Sequence, residues 1–225
     1  IIFLPLISFL FCFLFGGLFN YRISQFVSTS FLFISTILSW IIFFQFLGNN
    51  ETSIYQLLNW FTSGSLIVDW SIRLDSLTAT MLIVVTTVSA CVHLYSIGYM
   101  NEDPSKARFM GYLSLFTFFM LILVSSNNLI QMFFGWEGVG LASYLLIGFW
   151  YHKDSANKAA IKAFIVNRVG DFGYALGIAG VFLVFGSVDF DVIFNEVSNF
   201  KDHRIYFIGF SFETIDLLCF LLFIG

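Results

Sequence analysis

The chain has 225 residues, of which 59% are hydrophobic and only 11% are charged, with a formal net charge of −4. Soluble domains carry about 25% charged residues, so this composition excludes a soluble globular protein and indicates one that lies in a lipid bilayer. The apolar runs are continuous and about twenty residues long, whereas the strands of a membrane barrel alternate over about ten residues. The predicted fold class is therefore all-α, and no basic patch points to nucleic acid as a partner.

The apolar runs predict a polytopic transmembrane bundle of about seven helices, organised as a single domain over residues 1–225. Residues 48–75 alternate polar and aromatic side chains, which predicts an interfacial hairpin or loop. Residues 186–212 predict a second polar outer loop. The predicted spans lie at about 1–19, 26–47, 76–97, 109–126, 128–150, 161–185 and 213–225.

The distribution of lysine and arginine predicts the orientation, because short loops on the cytoplasmic or matrix side are enriched in these residues. Six of them fall in one set of loops and three in the opposite set, which places the N-terminus opposite the basic side. The first set is Arg22, Lys106, Arg108, Lys153, Lys158 and Lys162, and the second is Arg73, Lys201 and Arg204.

The three cysteines, Cys12, Cys91 and Cys219, lie in apolar runs and lack the spacing of metal ligands. They are expected to be small buried hydrophobic residues. The sequence also contains no Gly-rich phosphate loop and no Cys/His cluster. We therefore expect no cofactor and no metal ion in this chain.

Glu137 is the most informative residue, because it lies in the middle of the apolar run 129–150. A carboxylate at that depth costs roughly 2.5 kcal/mol or more on insertion scales. Its neighbours Gly135, Gly138 and Gly140 allow another helix to come close. We expect Glu137 to load and release a proton, and the alternative is a glutamate that only forms a hydrogen bond between helices.

Arg168 and Asp171 are three residues apart in the next apolar run, so they share a helix face and can form an ion pair. One interpretation is a pair that anchors the helix near the interface, because Arg168 lies early in the predicted span. The other is that Asp171 connects a wet cavity on the basic side to Glu137.

Two further titratable residues belong to the third predicted span. His93 lies near its end, where it is either a weak candidate for a proton shuttle or, more commonly, an interfacial polar anchor. Asp75 opens the span beside Arg73, where the helix dipole favours a negative charge.

Four segments resemble the NADH dehydrogenase subunit 5 family, the antiporter-like membrane subunits of respiratory complex I. Residues 135–147 (GWEGVGLASYLLI) are similar to the fifth-helix signature of that family, and residues 167–173 (NRVGDFG) support the resemblance. Residues 93–100 (HLYSIGYM) and 73–77 (RLDSL) follow the same order. The resemblance runs along the whole chain and is closest to mitochondrial versions.

This resemblance implies a non-redox subunit of an NADH:ubiquinone reductase that translocates protons in the mitochondrial inner membrane. Its nicotinamide, flavin and quinone sites are then in other subunits. The glutamate at the position of Glu137 pairs in that family with a lysine on the seventh helix. The residues matching Arg168 and Asp171 communicate with the neighbouring antiporter-like subunit.

Family members are more than twice as long as this chain, which stops before the position of the seventh-helix lysine. A split gene, a truncation or partial tracing would each explain the difference. A split gene predicts a second apolar chain that carries the missing helices, alongside the other complex I membrane subunits. A monovalent cation/proton antiporter subunit and a purely structural membrane scaffold remain as alternative functions.

Overall fold

A computed structural model describes residues 1–17, 21–46, 52–200, 203–207 and 209–225 of the chain. Expectations that fall on the remaining positions, including Lys201 and the last residues of the first two predicted spans, lie outside the described residues.

Eight α-helices occupy most of the described chain. Five of them are long and apolar enough to cross a membrane, and two shorter apolar helices flank them. The predicted class of helical membrane bundle is therefore confirmed. The helices are α1 (Phe3–Phe15), α2 (Tyr21–Phe46), α3 (Ser76–Tyr99), α4 (Lys106–Val124), α5 (Leu129–Ile147), α6 (Asp154–Phe185), α7 (Phe190–Glu196) and α8 (Thr214–Ile224).

The start of α6 differs most from the sequence prediction. The helix begins at Asp154, not near residue 161. Its first two turns are polar, so they are helical but do not belong to the apolar run from which the span was predicted. Arg168 therefore lies fourteen residues into the helix, about 21 Å along its axis. Arg168 and Asp171 both lie in the middle of α6, and their interpretation as an anchor near the interface stays a prediction.

The predicted hairpin between α2 and α3 is present. Strands β1 (Ser53–Ser63) and β2 (Leu66–Leu74) pair antiparallel, with Ser63 opposite Leu66 across a tight turn. Gly64 takes a φ of 61° in this turn, a conformation that glycine adopts without steric cost.

Side chains at the start of α5 hold the hairpin on the bundle. Gln131 Oε1 accepts a hydrogen bond from the Ser71 amide at 3.1 Å, and Gln131 Nε2 donates to the Ser71 carbonyl at 2.8 Å. Asn128 Nδ2 donates to the Asp69 carbonyl at 2.8 Å. Val68 of β2 is fully buried. The hairpin therefore packs on the bundle through both polar and apolar contacts.

The second outer segment carries more structure than its polarity predicts. It contains α7, a 3-10 turn and a short hairpin of β3 (Arg204–Phe207) and β4 (Phe210–Glu213). A stretch of four residues is too short to show a hydrophobic period, so the sequence pattern gives no signal for these strands.

Glycines let α5 approach α4 closely. A Cβ added at Gly135 would lie 2.7 Å from the backbone nitrogen of Leu123, and one at Gly138 would overlap the ring of Phe119. A Cβ added at Gly140 meets nothing within 4 Å. The expectation that small residues around Glu137 admit a neighbouring helix is therefore confirmed for two of the three glycines.

Replacement of Gly135 by alanine is expected to destabilise the bundle by about 1–3 kcal/mol, because the backbone of α4 has to move. The measurement is the melting temperature of the purified membrane assembly that contains the chain. Gly140→Ala is the matched control, since alanine favours a helix by about 1 kcal/mol over glycine and has open space here. Equal melting temperatures for the two variants would contradict this packing.

Candidate functional site

Helices α5 and α6 bring together three of the four candidate site residues. Glu137 is eight residues into α5, and Arg168 and Asp171 share one face in the middle of α6. The two helices pack against each other, so the charges meet at the depth of the hydrocarbon core. The sequence predicted each of these residues and the pairing of Arg168 with Asp171, but their contact with Glu137 follows only from the packing of α5 on α6.

Arg168 stands between the two carboxylates. Its Nη1 atom forms an ion pair with Glu137 Oε2 and lies 3.5 Å from Asp171 Oδ2. The Asp171 side chain is 10% exposed, whereas the Arg168 side chain is 44% exposed. One guanidinium therefore serves two acids, and the group carries a net charge of about −1 when both acids are ionised.

Aromatic side chains hold this group in place. The Trp136 indole Nε1 donates a hydrogen bond to Asp171 Oδ1 at 3.0 Å, and its ring stacks on Tyr174. The Arg168 guanidinium lies 4.6 Å from the centroid of the Phe164 ring. Asp171 is thus held by a hydrogen-bond donor of its own, Trp136. The more exposed Arg168 has an acid on each side. The role of Trp136 was not predicted from the sequence, although this residue precedes Glu137 in the motif.

The charged group borders a cavity of about 490 Å³. A water molecule takes up about 30 Å³ in the liquid, so several can fit beside the charges. Polar side chains, Ser143 and Asn167, line the same cavity with the last residues of the described chain, Ile224 and Gly225. The arrangement can therefore solvate a proton at the depth where Glu137 lies.

The chemistry open to this group is proton exchange coupled to movement of a cation. If Glu137 takes up a proton it loses its charge, and the attraction of Arg168 shifts toward Asp171. If Arg168 returns, the ionised form of Glu137 is favoured and the proton leaves.

His93 does not join this group. It lies in α3, is only 1% exposed, and contacts Ser114 of α4 through its Nε2 atom at 3.1 Å. An interfacial anchor would be exposed at the end of a helix, whereas α3 continues for six residues beyond His93. No group of three His, Cys, Asp or Glu side chains that could hold a metal ion occurs in the part of the chain that the structure describes.

A second charged cluster lies at the outer ends of the helices. Arg73 at the end of β2 contacts Asp75 at 3.2 Å, Asp191 of α7 at 2.7 Å and the side-chain oxygen of Asn127 at 3.1 Å. Its backbone amide also donates to the Ser125 carbonyl at 2.9 Å. Arg73 thus ties the hairpin to α3, α7 and the α4–α5 turn. Asp75 lies at the start of the helix, as the sequence predicts, whereas no sequence signal indicates Asp191, which is 118 residues from Arg73.

The surroundings of Asp75 determine how this cluster responds to acid. Burial alone would raise the pKa of Asp75, but hydrogen bonds from Thr78 and the charge of Arg73 together lower the pKa below its ordinary value. A carboxylate with a lowered pKa stabilises the folded state above the unfolded pKa of about 4. That contribution is lost as the pH falls through the still lower folded pKa.

Two family models match successive parts of the chain. Residues 60–110 match the N-terminus of chain 5 of NADH-ubiquinone oxidoreductase (complex I). Residues 126–225 match the transmembrane family described as NADH:quinone oxidoreductase/Mrp antiporter.

Relatives are similar to the chain over all or most of its length. NADH-quinone oxidoreductase subunit L of Rhodobacter capsulatus is 58% identical over 206 residues, which is 88% of this chain and 29% of that protein. NADH-ubiquinone oxidoreductase chain 5 of Chondrus crispus is 51% identical over 225 residues, covering 100% of this chain and 34% of that protein. Chain 5 of Arabidopsis thaliana is 49% identical with the same two coverages. The chain therefore spans about a third of the length of these relatives.

The fold is shared with a solved respiratory complex. A chain of the archaeal membrane-bound sulfane sulfur reductase superposes with a TM-score of 0.71 over 83% of this chain and 37% of that chain, at 16% identity. The chain has helices long enough to cross a bilayer, a charged group between two of them, and this shared fold. Together these features define a polytopic membrane protein of the antiporter-like class. Within that class, the chain belongs to the family of complex I chain 5 and bacterial subunit L.

Replacement of Arg73 by glutamine is expected to loosen the hairpin by about 1–2 kcal/mol, because Asp75 and Asp191 lose a charged donor that is partly exposed to solvent. Limited proteolysis at the hairpin turn, in the intact assembly, should become ~10-fold faster. Lowering the pH below about 4 should also speed cleavage of the unchanged chain, and should have a smaller effect on the variant, in which only the hydrogen bonds from Thr78 still lower the pKa of Asp75. Arg204→Gln, at an exposed arginine in β3, is the control. Cleavage at the same rate in both variants would contradict the role of Arg73.

Proposed function

We propose that this chain is part of a proton-translocating membrane subunit of NADH:ubiquinone oxidoreductase. The observation that carries this proposal is Arg168 placed between Glu137 and Asp171 beside a cavity that is lined by α5 and α6. The matching relatives are subunits of NADH-quinone and NADH-ubiquinone oxidoreductases. An ionised acid at this depth is costly, so its presence favours a role in moving charge.

In the proposed mechanism, Glu137 is the proton-loading group and Arg168 is the moving cation. A proton that reaches Glu137 through the cavity neutralises it, and Arg168 then associates with Asp171. A change in charge beyond Asp171 draws Arg168 back toward Glu137, which releases its proton to the opposite side. Trp136 keeps Asp171 in place during this exchange through its hydrogen bond.

We assign the redox chemistry to other subunits, so that this chain acts as a non-redox component of the enzyme and holds no cofactor. The support is the family resemblance, which implies that the nicotinamide, flavin and quinone sites are in other subunits. The role of this chain is then to respond to electron transfer at a distance through its charges.

We further propose that the rest of the family fold faces the cavity beside Glu137. The chain covers about a third of its relatives, and the family resemblance implies a lysine on a following helix as a partner of Glu137. That helix belongs either to the same polypeptide or, if the gene is split, to a second apolar chain. Mass spectrometry of the purified complex distinguishes these cases, and a complex that lacks such a segment in any chain contradicts the proposed partner.

We place the chain in the mitochondrial inner membrane with its N-terminus toward the intermembrane space. The basic residues Lys106 and Arg108 begin α4 at the end of the bundle where α2 starts and α5 finishes. The Lys106 ammonium lies 4.1 Å from the centroid of the Tyr21 ring, and the Arg108 guanidinium lies 4.8 Å from the centroid of the Phe149 ring. The positive-inside rule then places this basic end in the matrix.

A subunit of a monovalent cation/proton antiporter is the second candidate, because one matching family model includes Mrp antiporters. It would use the same acids without electron transfer from NADH. A native gel of membranes solubilised in mild detergent, stained for NADH oxidation, separates the two. Migration of the chain with the NADH-oxidising complex favours the proposal, and migration in a smaller assembly without that activity favours the antiporter.

Replacement of Glu137 by glutamine is expected to lower the number of protons pumped per electron, because glutamine keeps the size of the side chain but cannot take up a proton. The ratio is measured in proteoliposomes that contain the whole complex, from quinone reduction by NADH and the accompanying acidification. The control is Glu102→Gln, at an exposed glutamate in the α3–α4 loop.

The native gel also confirms that the variant complex is assembled. An unchanged pumping ratio in an intact Glu137→Gln complex would contradict the role of this residue and favour a structural scaffold. A lowered ratio in both variants would contradict a role specific to the buried glutamate.

A further inference from the structure

Helix α2 carries three buried polar atoms that have no hydrogen-bond partner among the described residues. They are Ser24 Oγ, Gln25 Nε2 and Thr29 Oγ1, and their side chains are 0%, 6% and 8% exposed. We call these three residues the unpaired face. An unsatisfied buried polar group is destabilising, and internal water is the usual means by which proteins satisfy such groups.

The contacts of α1 fix its level against the unpaired face. Ser35 Oγ donates to the Ile1 carbonyl at 3.2 Å, and Cys12 Sγ donates to the Ser24 carbonyl at 3.7 Å. The residue numbers rise in α1 as they fall in α2, so the two helices are antiparallel. Ser8, one turn before Cys12, therefore lies level with the unpaired face.

Helix α3 lies on the other side of α2. Thr36 Oγ1 donates to the Thr86 carbonyl at 3.0 Å across the two helices. Ser53, after α2, pairs with Leu74, before α3, so α3 begins where α2 ends and these two helices are also antiparallel. Thr29 lies seven residues, or about two turns, before Thr36 in α2, and His93 lies seven residues after Thr86 in α3. Because the helices are antiparallel, Thr29 and His93 lie at the same level.

A buried polar chain connects His93 to α1. His93 Nε2 lies 3.1 Å from Ser114 Oγ, which lies 2.9 Å from Ser8 Oγ. His93 Nδ1 lies 2.8 Å from the Ser89 carbonyl, an oxygen that can only accept, so Nδ1 carries the proton and Nε2 accepts from Ser114. The lone pair of His93 is thus directed toward the polar interior shared by α1, α2 and α4.

A cavity of about 310 Å³ leads toward this interior from the basic end. It lies between α1, α2 and α4, and Ser105 and Arg108 line it at the start of α4. Cys12 lines its inner part, where the thiol contacts the backbone of Ser24. Cys12 therefore lies between the cavity and Ser24, the first member of the unpaired face.

We propose that α1, α2, α3 and α4 form a water-filled inlet that opens at the basic end of the bundle and ends at His93. Water is the ligand, held by the unpaired face and by the hydroxyls of Ser8 and Ser114. A buried water makes about three hydrogen bonds, which this set of donors and acceptors supplies. The inlet is separate from the cavity between α5 and α6, so it does not depend on the function proposed for Glu137.

Hydroxyl-radical labelling of the intact assembly in ¹⁸O-water tests the inlet, because radicals formed from bound water oxidise the side chains beside it. Cys12 is 3% exposed and buried between helices, whereas Cys91 lies on the exposed surface of α3 two residues from the level of His93. Cys12 is expected to take up ¹⁸O faster than Cys91. Equal or slower uptake at Cys12 would overturn the proposal.

The melting temperature of Thr29→Val provides a second test that does not rely on labelling. The substitution keeps the shape of the side chain, and in a hydrated inlet it removes a group that binds water, so the melting temperature should fall. In a dry interior it replaces an unpaired hydroxyl with a methyl group, and the melting temperature should rise. Thr80→Val, at an exposed threonine bonded to its own helix, is the control. A rise, or a change no larger than the control, would overturn the inlet.

Discussion

Placing a carboxylate in hydrocarbon is the constraint on which the central site depends. An ionised acid cannot stay at that depth without a counter-charge and hydrogen bonds, and Glu137 obtains its counter-charge from the neighbouring helix through Arg168. The same guanidinium also faces Asp171, which keeps a separate donor in Trp136. Two acids that share one cation cannot both be fully compensated, and the proposed uptake and release of a proton rests on this imbalance.

The packing of α4, α5 and α6 brings these charges into contact. Gly135 removes the side chain that would separate α5 from the backbone of α4, while Gly140 leaves space beside the cavity. Where α5 begins, Gln131 and Asn128 form hydrogen bonds with the backbone of the hairpin. Arg73 of the hairpin forms ion pairs with two nearby acids. The helix that carries Glu137 is thus fixed at its outer end and open beside the acid.

The sequence predicted the helical bundle, the hairpin and the charged residues, because each has a local signal. Long apolar runs identify the spans, and a charge within a run is conspicuous. It did not predict the start of α6, since a polar amphipathic turn extends a helix without adding to the apolar run that defines the span.

Contacts between distant residues could not be read from the sequence. The ion pair of Arg73 with Asp191 and the contact of His93 with Ser114 join separate helices, and no spacing rule relates such positions. Trp136 was part of a recognised motif, but its role depends on where Asp171 lies in the next helix.

Infrared difference spectroscopy of the intact complex during NADH-driven turnover tests the central claim most directly, because a protonated carboxyl group has its own C=O stretch. The predicted result is a band that appears on turnover, shifts in deuterated water and is missing from the Glu137→Gln complex. A band that persists unchanged in that variant, with the complex assembled and active, would show that the proton is loaded elsewhere and would contradict the exchange of Arg168 between Glu137 and Asp171.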